Sequence, residues 1–495
     1  MRELLSKSGH ELLELINRGE LDHNELQETQ FEFAREIDSE LNAFIAWDEV
    51  VERQEWSLPG LDGGPRKFSR LPYAAKDLFC TRGLQTTAGS RVLEGYEPPY
   101  DAMCIAGLRK EKNHLIGKTN MDEFAMGSSG EMSGWGVTRN PWALDRVPGG
   151  SSSGSAAAVA ACQCVMALGT DTGGSVRPPA AFCGIVGYRP TYGLVSRYGM
   201  VAFSSSCDQA GIFARSTLDA ALVMNTISGP CDHDSTCVAI SNMDYFGEAQ
   251  RDVHWGKLRV GRIKQFCDKQ ATDAGVLENY DASLKLMEQA GAEIVDLDFS
   301  LAEMCLPAYY IITAAECSSN LARYDGIRYG AAPTVDGLLE RYLEVRSKGI
   351  GEEVKRRILL GTYVLSAGYF DAYYNRARRL RADIQEQLLG LFKQADIIAT
   401  PTSPTAAFKF GEKLDDPVQM YLSDICTAFV NLAGLAGISL PNGFCEEDGA
   451  RLPTGLQFAC APMRDQLMLR VAHQYEQLSG WRFQPPKLAS DRLQG

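Results

Sequence analysis

The sequence predicts an α/β fold, in which a central sheet is covered by helices on both faces. Short apolar runs alternate with longer segments of helical periodicity, as is typical of sheets between helical layers. The clearest example is a strand over 258–263, a helix over 275–290 that ends near Gly291, and a strand over 293–297. With 495 residues, 45% of them hydrophobic, the chain can bury a large core without disulfides or metal ions.

The N-terminal region is predicted to be helical before the first strands begin. Apolar residues recur at helical spacing over 3–18 and again over 24–38. The segment 53–70 is rich in glycine, proline and charge, and we expect a loop there. Because no repeat or break in composition divides the chain, we predict a single domain over 1–495, with N-terminal helices of about 1–60 packed on it.

Later elements are marked by capping residues and by apolar runs. Ser216 and Asp219 form the capping pattern of a helix start, and Gly229 follows the end of that helix. Towards the C-terminus we predict strands over 396–400 and 455–459 and a helix over 464–478.

Charge and cysteine usage exclude several classes of protein. The net charge of −14 argues against a chain whose main role is to bind nucleic acid, since phosphate contacts require Lys and Arg. The 14 cysteines include no CxxC pair, so we expect buried thiols and no metal site. The N-terminus lacks the apolar stretch of a signal peptide, and no run approaches a membrane span. We therefore expect a soluble, cytoplasmic protein.

The centre of the sequence holds two loops rich in glycine and serine, over 147–155 and 169–178, around an alanine-rich helix. Such loops bring several backbone N–H groups close to a bound group. N–H groups that point inward together form a site for an anion or an oxyanion. The sequence therefore predicts a reaction or binding centre here.

Three kinds of site fit these loops. A Walker phosphate loop is excluded because its lysine is absent. The run Gly150–Gly154 formally matches the nucleophile elbow G-x-S-x-G, but no strand precedes it and none of the six histidines lies in a catalytic motif. The third possibility is a serine nucleophile with a lysine base, for which Lys76, at the end of an apolar run, is the candidate. By spacing alone, a surface lysine at a strand end is the commoner explanation.

The two loops resemble the amidase signature. The matching residues are Gly149–Ala160 followed by Gly169–Ser175. Members of that family have a large mixed central sheet and use a Ser-cisSer-Lys triad. The resemblance implies that Ser175 is the nucleophile, that Ser151 bridges from a cis peptide bond, and that Lys76 is the base.

The implied triad also requires hydrogen-bond donors for the oxyanion and a neutral base. The backbone N–H groups of Thr172, Gly173, Gly174 and Ser175 are expected to form the oxyanion hole. Lys76 must be neutral to accept a proton, so we expect it to be buried and its pKa to be lowered.

Four further segments are similar to ones typical of the A subunits of glutamine-dependent aminoacyl-tRNA amidotransferases. They are Gly117–Ser129, Thr138–Trp142, Tyr324–Gly330 and Gly351–Ile358, and free-standing amidases usually lack the last two. This resemblance implies a glutaminase subunit that releases ammonia from glutamine.

In that family an Arg binds the α-carboxylate of glutamine and an Asp binds its α-ammonium group. Arg357 and Asp424 are the positions that match, and Tyr309 or Tyr310 is expected to line the pocket. Arginine suits this role because it binds a carboxylate through two hydrogen bonds. Arg356 is adjacent, so a shift by one residue stays open, and without the resemblance both arginines would suit a solvated helix face.

The resemblance implies partners as well. A separate chain, the B subunit, uses ATP and Mg²⁺ to activate mischarged Glu-tRNA(Gln) or Asp-tRNA(Asn), and a small third chain, the C subunit, holds the two together. No cofactor or metal is expected in this chain itself. Two other functions remain open: a stand-alone hydrolase of a small amide, and a non-catalytic scaffold that retains the fold.

The sequence departs from the usual pattern at a few positions near the loops. Ser153 replaces a glycine, Gly130 stands where threonine is usual, and Pro178 stands where glutamine is common. Lys76 and Asp77 are followed by Leu78 and Phe79 instead of Asn and an aliphatic residue. None of these changes touches the triad, so we expect any effect to be on the shape of the pocket.

Overall fold

The computed structural model describes residues 1–49, 67–240, 243–330 and 335–494. Residues 50–60, the end of the predicted N-terminal helical region, and residues 53–66 of the predicted loop lie outside the described residues. In the described ranges, no helix is both long and apolar enough to cross a membrane.

The core of the molecule is one large sheet with parallel and antiparallel strands. Its strands are β1 (Phe44–Trp47), β2 (Pro72–Lys76), β3 (His114–Thr119), β4 (Met166–Thr170), β5 (Val186–Arg189), β6 (Ala210–Ala214), β7 (Arg259–Ile263), β8 (Glu293–Leu297), β9 (Ile397–Pro401), β10 (Ala436–Glu447) and β11 (Ala450–Cys460). Within the described chain, these 11 strands follow the order β1-β3-β2-β4-β6-β5-β10-β11-β9-β7-β8. Pairs such as β2–β4 are parallel and pairs such as β10–β11 antiparallel, so the predicted mixed sheet is confirmed.

Helices and helical turns occupy about half of the remaining described chain. The α-helices are α1 (Gly9–Asn17), α2 (His23–Leu41), α3 (Met103–Lys110), α4 (Ser153–Ala160), α5 (Arg177–Cys183), α6 (Thr217–Ile227), α7 (Tyr245–Ala249), α8 (Ala274–Gln289), α9 (Ala302–Asn320), α10 (Leu338–Lys348), α11 (Glu352–Leu365), α12 (Arg376–Leu391), α13 (Pro417–Leu422), α14 (Ala428–Leu432), α15 (Asp465–Ser479) and α16 (Lys487–Leu493). A π-helical turn, Phe370–Asn375, precedes α12. Short 3₁₀ turns lie at Arg2–Ser6, Arg91–Leu93, Glu123–Ala125, Trp255–Lys257, Lys264–Phe266 and Leu321–Arg323.

Helices cover both faces of the sheet, and neighbouring residues of β11 show this directly. The side chain of Gln457 accepts a hydrogen bond from Arg177 of α5 at 2.6 Å. The next residue, Phe458, packs edge-to-face on Tyr475 of α15, with ring centroids 5.7 Å apart. Because successive side chains of a strand point to opposite faces, α5 and α15 lie on opposite sides, and the predicted helical layers are confirmed.

The single helix predicted over 3–18 is wrong, because the chain forms the 3₁₀ turn Arg2–Ser6 and then α1. Lys7 between them is extended, with φ −69° and ψ 154°. The backbone N–H of Ser8 donates to the Glu11 carboxylate at 2.9 Å, and this local bond starts a new helix. Asp219 of α6 accepts hydrogen bonds from the N–H groups of Gly9 and His10, which ties α1 to the sheet region.

The other predicted elements are confirmed, with shifts at their ends. The predicted 24–38 helix extends as α2 to Leu41, and the 455–459 strand is part of the longer β11. Ser216 caps α6 by accepting a hydrogen bond from the Asp219 N–H. The remaining elements, β7, α8, β8, β9 and α15, begin and end within one residue of the predicted bounds.

One edge of the sheet gathers the residues singled out in the sequence. The parallel neighbours β2 and β4 end at Lys76 and Thr170, so both carboxyl ends lie at the same edge. Helix α4 packs on β2 and β4, which brings its N-terminus, with Ser151 and Ser152, to that edge. The carboxyl ends of strands in an open α/β sheet are a common place for a binding crevice.

Candidate active site

Lys76 lies at the end of β2 and is fully buried. Its Nζ atom donates to the hydroxyls of Ser151 at 2.7 Å, Ser152 at 2.9 Å and Thr170 at 3.0 Å. Burial lowers the pKa of Lys76 to about 7, against the opposing effect of three nearby aspartates. A substantial fraction of this lysine is therefore neutral at physiological pH, as a general base must be.

Ser151 precedes the N-terminus of α4 and is fully buried. The Gly150–Ser151 peptide bond is cis, which agrees with what the resemblance implies. Gly150 has no room for a side chain, because a Cβ atom there would overlap the carboxylate of Asp122. The Ser151 hydroxyl lies beside Lys76, from which it accepts a hydrogen bond.

Ser175 lies in the second loop and is 8% exposed, whereas Lys76 and Ser151 are fully buried. Among the described residues, no hydrogen bond joins the hydroxyls of Ser151 and Ser175. The structure therefore brings Lys76 and Ser151 into contact and leaves Ser175 at the accessible side of the centre. Such contacts are often long before substrate binds.

Four consecutive backbone N–H groups of the second loop have no partners inside the described chain. Those of Thr172, Gly173, Gly174 and Ser175 make no hydrogen bond there, whereas the N–H of Asp171 donates to the carbonyl of Gln209 at 2.9 Å. An oxyanion hole is built from unpaired N–H groups of this kind. These four groups are therefore free to donate to a bound oxyanion.

A buried cluster of charged side chains anchors the start of this loop. Arg177 donates to both carboxylate oxygens of Asp171, at 2.9 and 3.0 Å. Burial alone would raise the pKa of Asp171, but Arg177 and Arg189 outweigh it and lower that pKa to about 2. Asn431 adds a third hydrogen bond at 2.7 Å, so Asp171 is an ionised anchor for the loop that follows it.

Two further buried carboxyls flank the centre. Asp122 accepts hydrogen bonds from the backbone N–H groups of Gly130 and Met132. Asp208 accepts one from the Thr172 hydroxyl at 2.6 Å. Burial raises the pKa of each to about 6, and when ionised each favours the protonated form of Lys76.

Tyr309 and Thr427 pack against the two glycines of the second loop, Gly173 and Gly174. A Cβ atom on Gly173 would lie 2.5 Å from the Tyr309 ring, and one on Gly174 would overlap the Thr427 hydroxyl. That hydroxyl lies 2.6 Å from the carbonyl oxygen of Gly173 and 3.1 Å from that of Asp424. The glycines are therefore needed for close approach, and Thr427 links the loop to Asp424.

Asp424 is 8% exposed and lies in a polar corner. It accepts hydrogen bonds from the hydroxyls of Ser128, at 3.1 Å, and Tyr310, at 3.0 Å. Burial raises the pKa of Asp424 to about 6, so the carboxylate is mostly ionised at neutral pH. A buried carboxylate with two neutral donors is suited to bind a ligand ammonium group.

Arg357, on α11, lies near the same polar corner and is 4% exposed. Its guanidinium lies over the rings of Tyr310, at 4.9 Å, and Tyr421, at 5.2 Å. The Arg356 side chain is 48% exposed. The structure thus brings Arg357, Tyr309, Tyr310 and Asp424 together in one buried cluster beside the second loop, and it buries Arg357 but not Arg356.

Several contacting residues were not singled out from the sequence. Asp122 and Ser128 lie within the segment Gly117–Ser129, and Glu353 lies four residues before Arg357, where an i,i+4 ion pair forms on one helix face. Those positions could have been found from spacing. Tyr421 and Thr427 carry no such signal, because only the tertiary fold brings them to the pocket.

Two of the unusual residues near the first loop contact each other. Gly130 has φ +89°, and a Cβ atom placed on it would lie 2.6 Å from the Cβ atom of Ser153. The Ser153 hydroxyl donates to that of Thr138 at 3.2 Å. The serine therefore fills space that a side chain at position 130 would occupy.

Comparisons with known sequences and with solved structures both find relatives that match nearly the whole chain. The profile of the amidase family matches residues 28–469. The chain is 46% identical to the A subunit of the glutamyl-tRNA(Gln) amidotransferase of Thermoanaerobacter pseudethanolicus, over 99% of this chain and 100% of that protein. It is 47% identical to that of Carboxydothermus hydrogenoformans, over 98% and 100%.

Solved structures agree with the sequence relatives. The glutamyl-tRNA(Gln) amidotransferase A subunit from Thermotoga maritima superposes with a TM-score of 0.82 at 38% identity and 98% coverage of both chains. A peptide amidase from Stenotrophomonas maltophilia gives 0.77 at 27% identity, over 97% of this chain and 98% of that one. Residues 28–469 make up most of the sequence, and the relatives match it nearly end to end. The chain therefore belongs to the amidase family.

Proposed function

We propose that this chain is the glutaminase subunit of a glutamine-dependent tRNA amidotransferase. It hydrolyses glutamine and supplies ammonia for the conversion of mischarged Glu-tRNA(Gln) or Asp-tRNA(Asn) in the cytoplasm. One observation carries the proposal: the Thr427 hydroxyl links the carbonyl of Gly173, in the second loop, to that of Asp424. The loop that carries Ser175 and the segment that carries the Asp424 carboxylate are therefore held together through their backbones.

The chemistry follows from the contacts around Lys76. Neutral Lys76 takes a proton from Ser151, which takes one from Ser175, and the Ser175 oxygen attacks the side-chain amide carbon of glutamine. The free N–H groups of Thr172–Ser175 stabilise the oxyanion. The C–N bond breaks, and the proton held by Lys76 returns to the leaving nitrogen, so ammonia departs and a glutamyl ester remains on Ser175. Water then releases glutamate by the same relay.

The pocket selects an α-amino acid through two opposite charges. Arg357 receives the α-carboxylate and Asp424 the α-ammonium group, and the aromatic rings of Tyr309 and Tyr310 line the space between the loop and these charges. A site built for charged groups rejects analogues that lack them, because its own buried charges would remain unpaired.

The partners in this proposal are the B and C subunits of the complex. The B subunit uses ATP and Mg²⁺, and this chain needs no cofactor of its own.

An exposed surface on α11, the π-helical turn and α12 suits such a protein partner. Tyr363, Tyr369 and Tyr373 are each more than 40% exposed and contact one another, with centroids 4.4 to 6.1 Å apart. We call it the tyrosine–arginine surface; it also includes Leu359, Leu360, Phe370, Tyr374, Arg376, Arg378 and Arg379.

The composition of the tyrosine–arginine surface favours a protein partner. Tyrosine and arginine are enriched at the centres of protein interfaces. Its exposed arginines form a basic area on a chain with a net charge of −14, which complements an acidic area on the partner.

The test is glutamine turnover by the purified chain with and without the B and C subunits. We expect weak activity alone and a large rise with the partners, larger again with mischarged tRNA and ATP. The pair Tyr363→Ala and Tyr373→Ala should reduce capture of the partners, while Leu338→Ala, at another exposed position, serves as control. Full activity of the lone chain on simple amides, with no partner retained, would instead support the stand-alone amidase.

A further inference from the structure

The guanidinium of Arg357 is bound at one nitrogen and free at the other two. Its Nε atom donates to Glu353 at 2.7 Å. In the part of the chain that the structure describes, the two terminal nitrogens have no hydrogen-bond partner, although Arg357 is only 4% exposed. Bonding at Nε leaves the terminal N–H groups available for two parallel bonds to a carboxylate.

Glu353 is the residue that determines the direction of this group. It is 7% exposed, and its Oε1 atom accepts hydrogen bonds from Arg357 and from the Tyr421 hydroxyl, the latter at 2.9 Å. Its Oε2 atom pairs with Arg356. The ring of Tyr421 also lies beneath the Arg357 guanidinium, 5.2 Å from its centre. Glu353 therefore holds both the arginine and one of the rings on which that arginine stacks.

We propose that Glu353 is a positioning residue for substrate selection: it orients the Arg357 guanidinium towards the carboxylate of the amide substrate. This inference rests on the proposed glutaminase function and adds a residue to it. Glu353 does not contact the substrate in this proposal and acts through Arg357.

The net charge of this group of side chains explains how Arg356 contributes to it. Glu353 and Arg357 alone form a neutral pair, and a substrate carboxylate would then approach a site without net charge. Arg356 pairs with Glu353 from the half-exposed side, so the three side chains together carry one positive charge. The substrate carboxylate is thus met by a net cation whose plane is already fixed, which lowers the entropy lost on binding.

The experiment compares three amides with the assembled enzyme, so that each charge of glutamine is tested separately. The substrates are glutamine, 4-carbamoylbutanoate, which lacks the α-ammonium group, and 4-aminobutanamide, which lacks the α-carboxylate. Glu353→Ala should raise KM by about tenfold or more for the two carboxylate-bearing substrates and leave that for 4-aminobutanamide nearly unchanged. The kcat values should change little.

Two further variants keep the test decisive. Glu353→Gln, which retains an acceptor oxygen for Arg357 and Tyr421, should recover most of the loss. Glu352→Ala removes a carboxylate from the same helical turn, but that side chain is 85% exposed, and we expect its KM values to match the wild type. Thermal unfolding of each variant checks the fold.

The outcomes separate this inference from the proposed function. If Glu353→Ala impairs all three amides equally, or if Glu352→Ala has the same effect, Glu353 is merely structural and the inference is wrong. If the wild-type enzyme itself shows no preference for glutamine over 4-aminobutanamide, the proposed glutaminase function fails, and the inference fails with it.

Discussion

The proposed reaction centre and the proposed amino-acid pocket differ in how their residues are gathered. Apart from Lys76, the centre comes from two loops around α4, with Ser151 and Ser175 only 24 positions apart. The pocket joins residues from distant segments, and 296 positions separate Ser128 from Asp424, which it contacts. Under the proposed function, local sequence thus encodes the chemistry, whereas the tertiary fold encodes the choice of substrate.

This contrast has a functional consequence. A change in the reaction centre should affect every amide, because each substrate needs the same nucleophile and proton relay. A change in the pocket should affect only substrates that carry the matching charge. Kinetics on glutamine and on a neutral amide such as acetamide can therefore distinguish the two regions.

The largest effect is expected at the nucleophile. Ser175→Ala should lower kcat by roughly 10⁴-fold or more for glutamine and acetamide alike, since no other group can form the ester. Steady-state rates and a mass shift on the Ser175 peptide after trapping with a glutamine analogue provide the measurement. Ser153→Ala, in the first loop, is the control. Retention of more than a few per cent of the rate would contradict the assignment.

The relay should give losses that do not add. Lys76→Ala and Ser151→Ala are each expected to lower kcat by about 10³-fold, and the double variant should be scarcely worse, because either change already interrupts proton transfer. A double-mutant cycle on kcat measures the coupling. If the losses multiply in full, Lys76 and Ser151 act independently and the relay is wrong.

A smaller and more selective effect is expected in the pocket. Arg357→Gln or Asp424→Asn should raise KM for glutamine by about 10- to 100-fold and change that for acetamide little. In each variant a charged group of glutamine has lost its partner in the site, whereas acetamide carries no charge. Lys355→Gln on the same helix is the control. Equal changes for both amides would mean that Arg357 and Asp424 have a structural role.

The smallest effect is a difference in pH dependence. Lys76 acts when neutral, so kcat/KM should rise with pH and level off above its pKa of about 7. Protonation of Asp424, whose pKa is raised to about 6, weakens binding of the α-ammonium group below that pH. Below pH 6 the profile for glutamine should therefore be steeper than that for acetamide. Identical slopes would show that Asp424 does not bind the substrate.

The same contrast explains what the sequence could predict. The paired loops around α4 and the end of β2 are local patterns, and the expectation of a buried Lys76 with a lowered pKa is confirmed. The break at Ser8 was missed because the apolar spacing continues through it while a capping bond to Glu11 interrupts the helix. The contacts of Tyr421 and Thr427 depend on how α9, α11 and the 421–427 segment pack together, which no local pattern reports.

The contact between Gly130 and Ser153 couples these two positions, so the effect of a substitution at one depends on the residue at the other. Threonine at 130 would combine a β-branched side chain at φ +89° with a Cβ atom 2.6 Å from that of Ser153. A chain with threonine at 130 and serine at 153 would therefore be strained in two ways. Ser153→Gly removes the second strain, so a side chain at position 130 should cost less stability once Ser153 has been replaced.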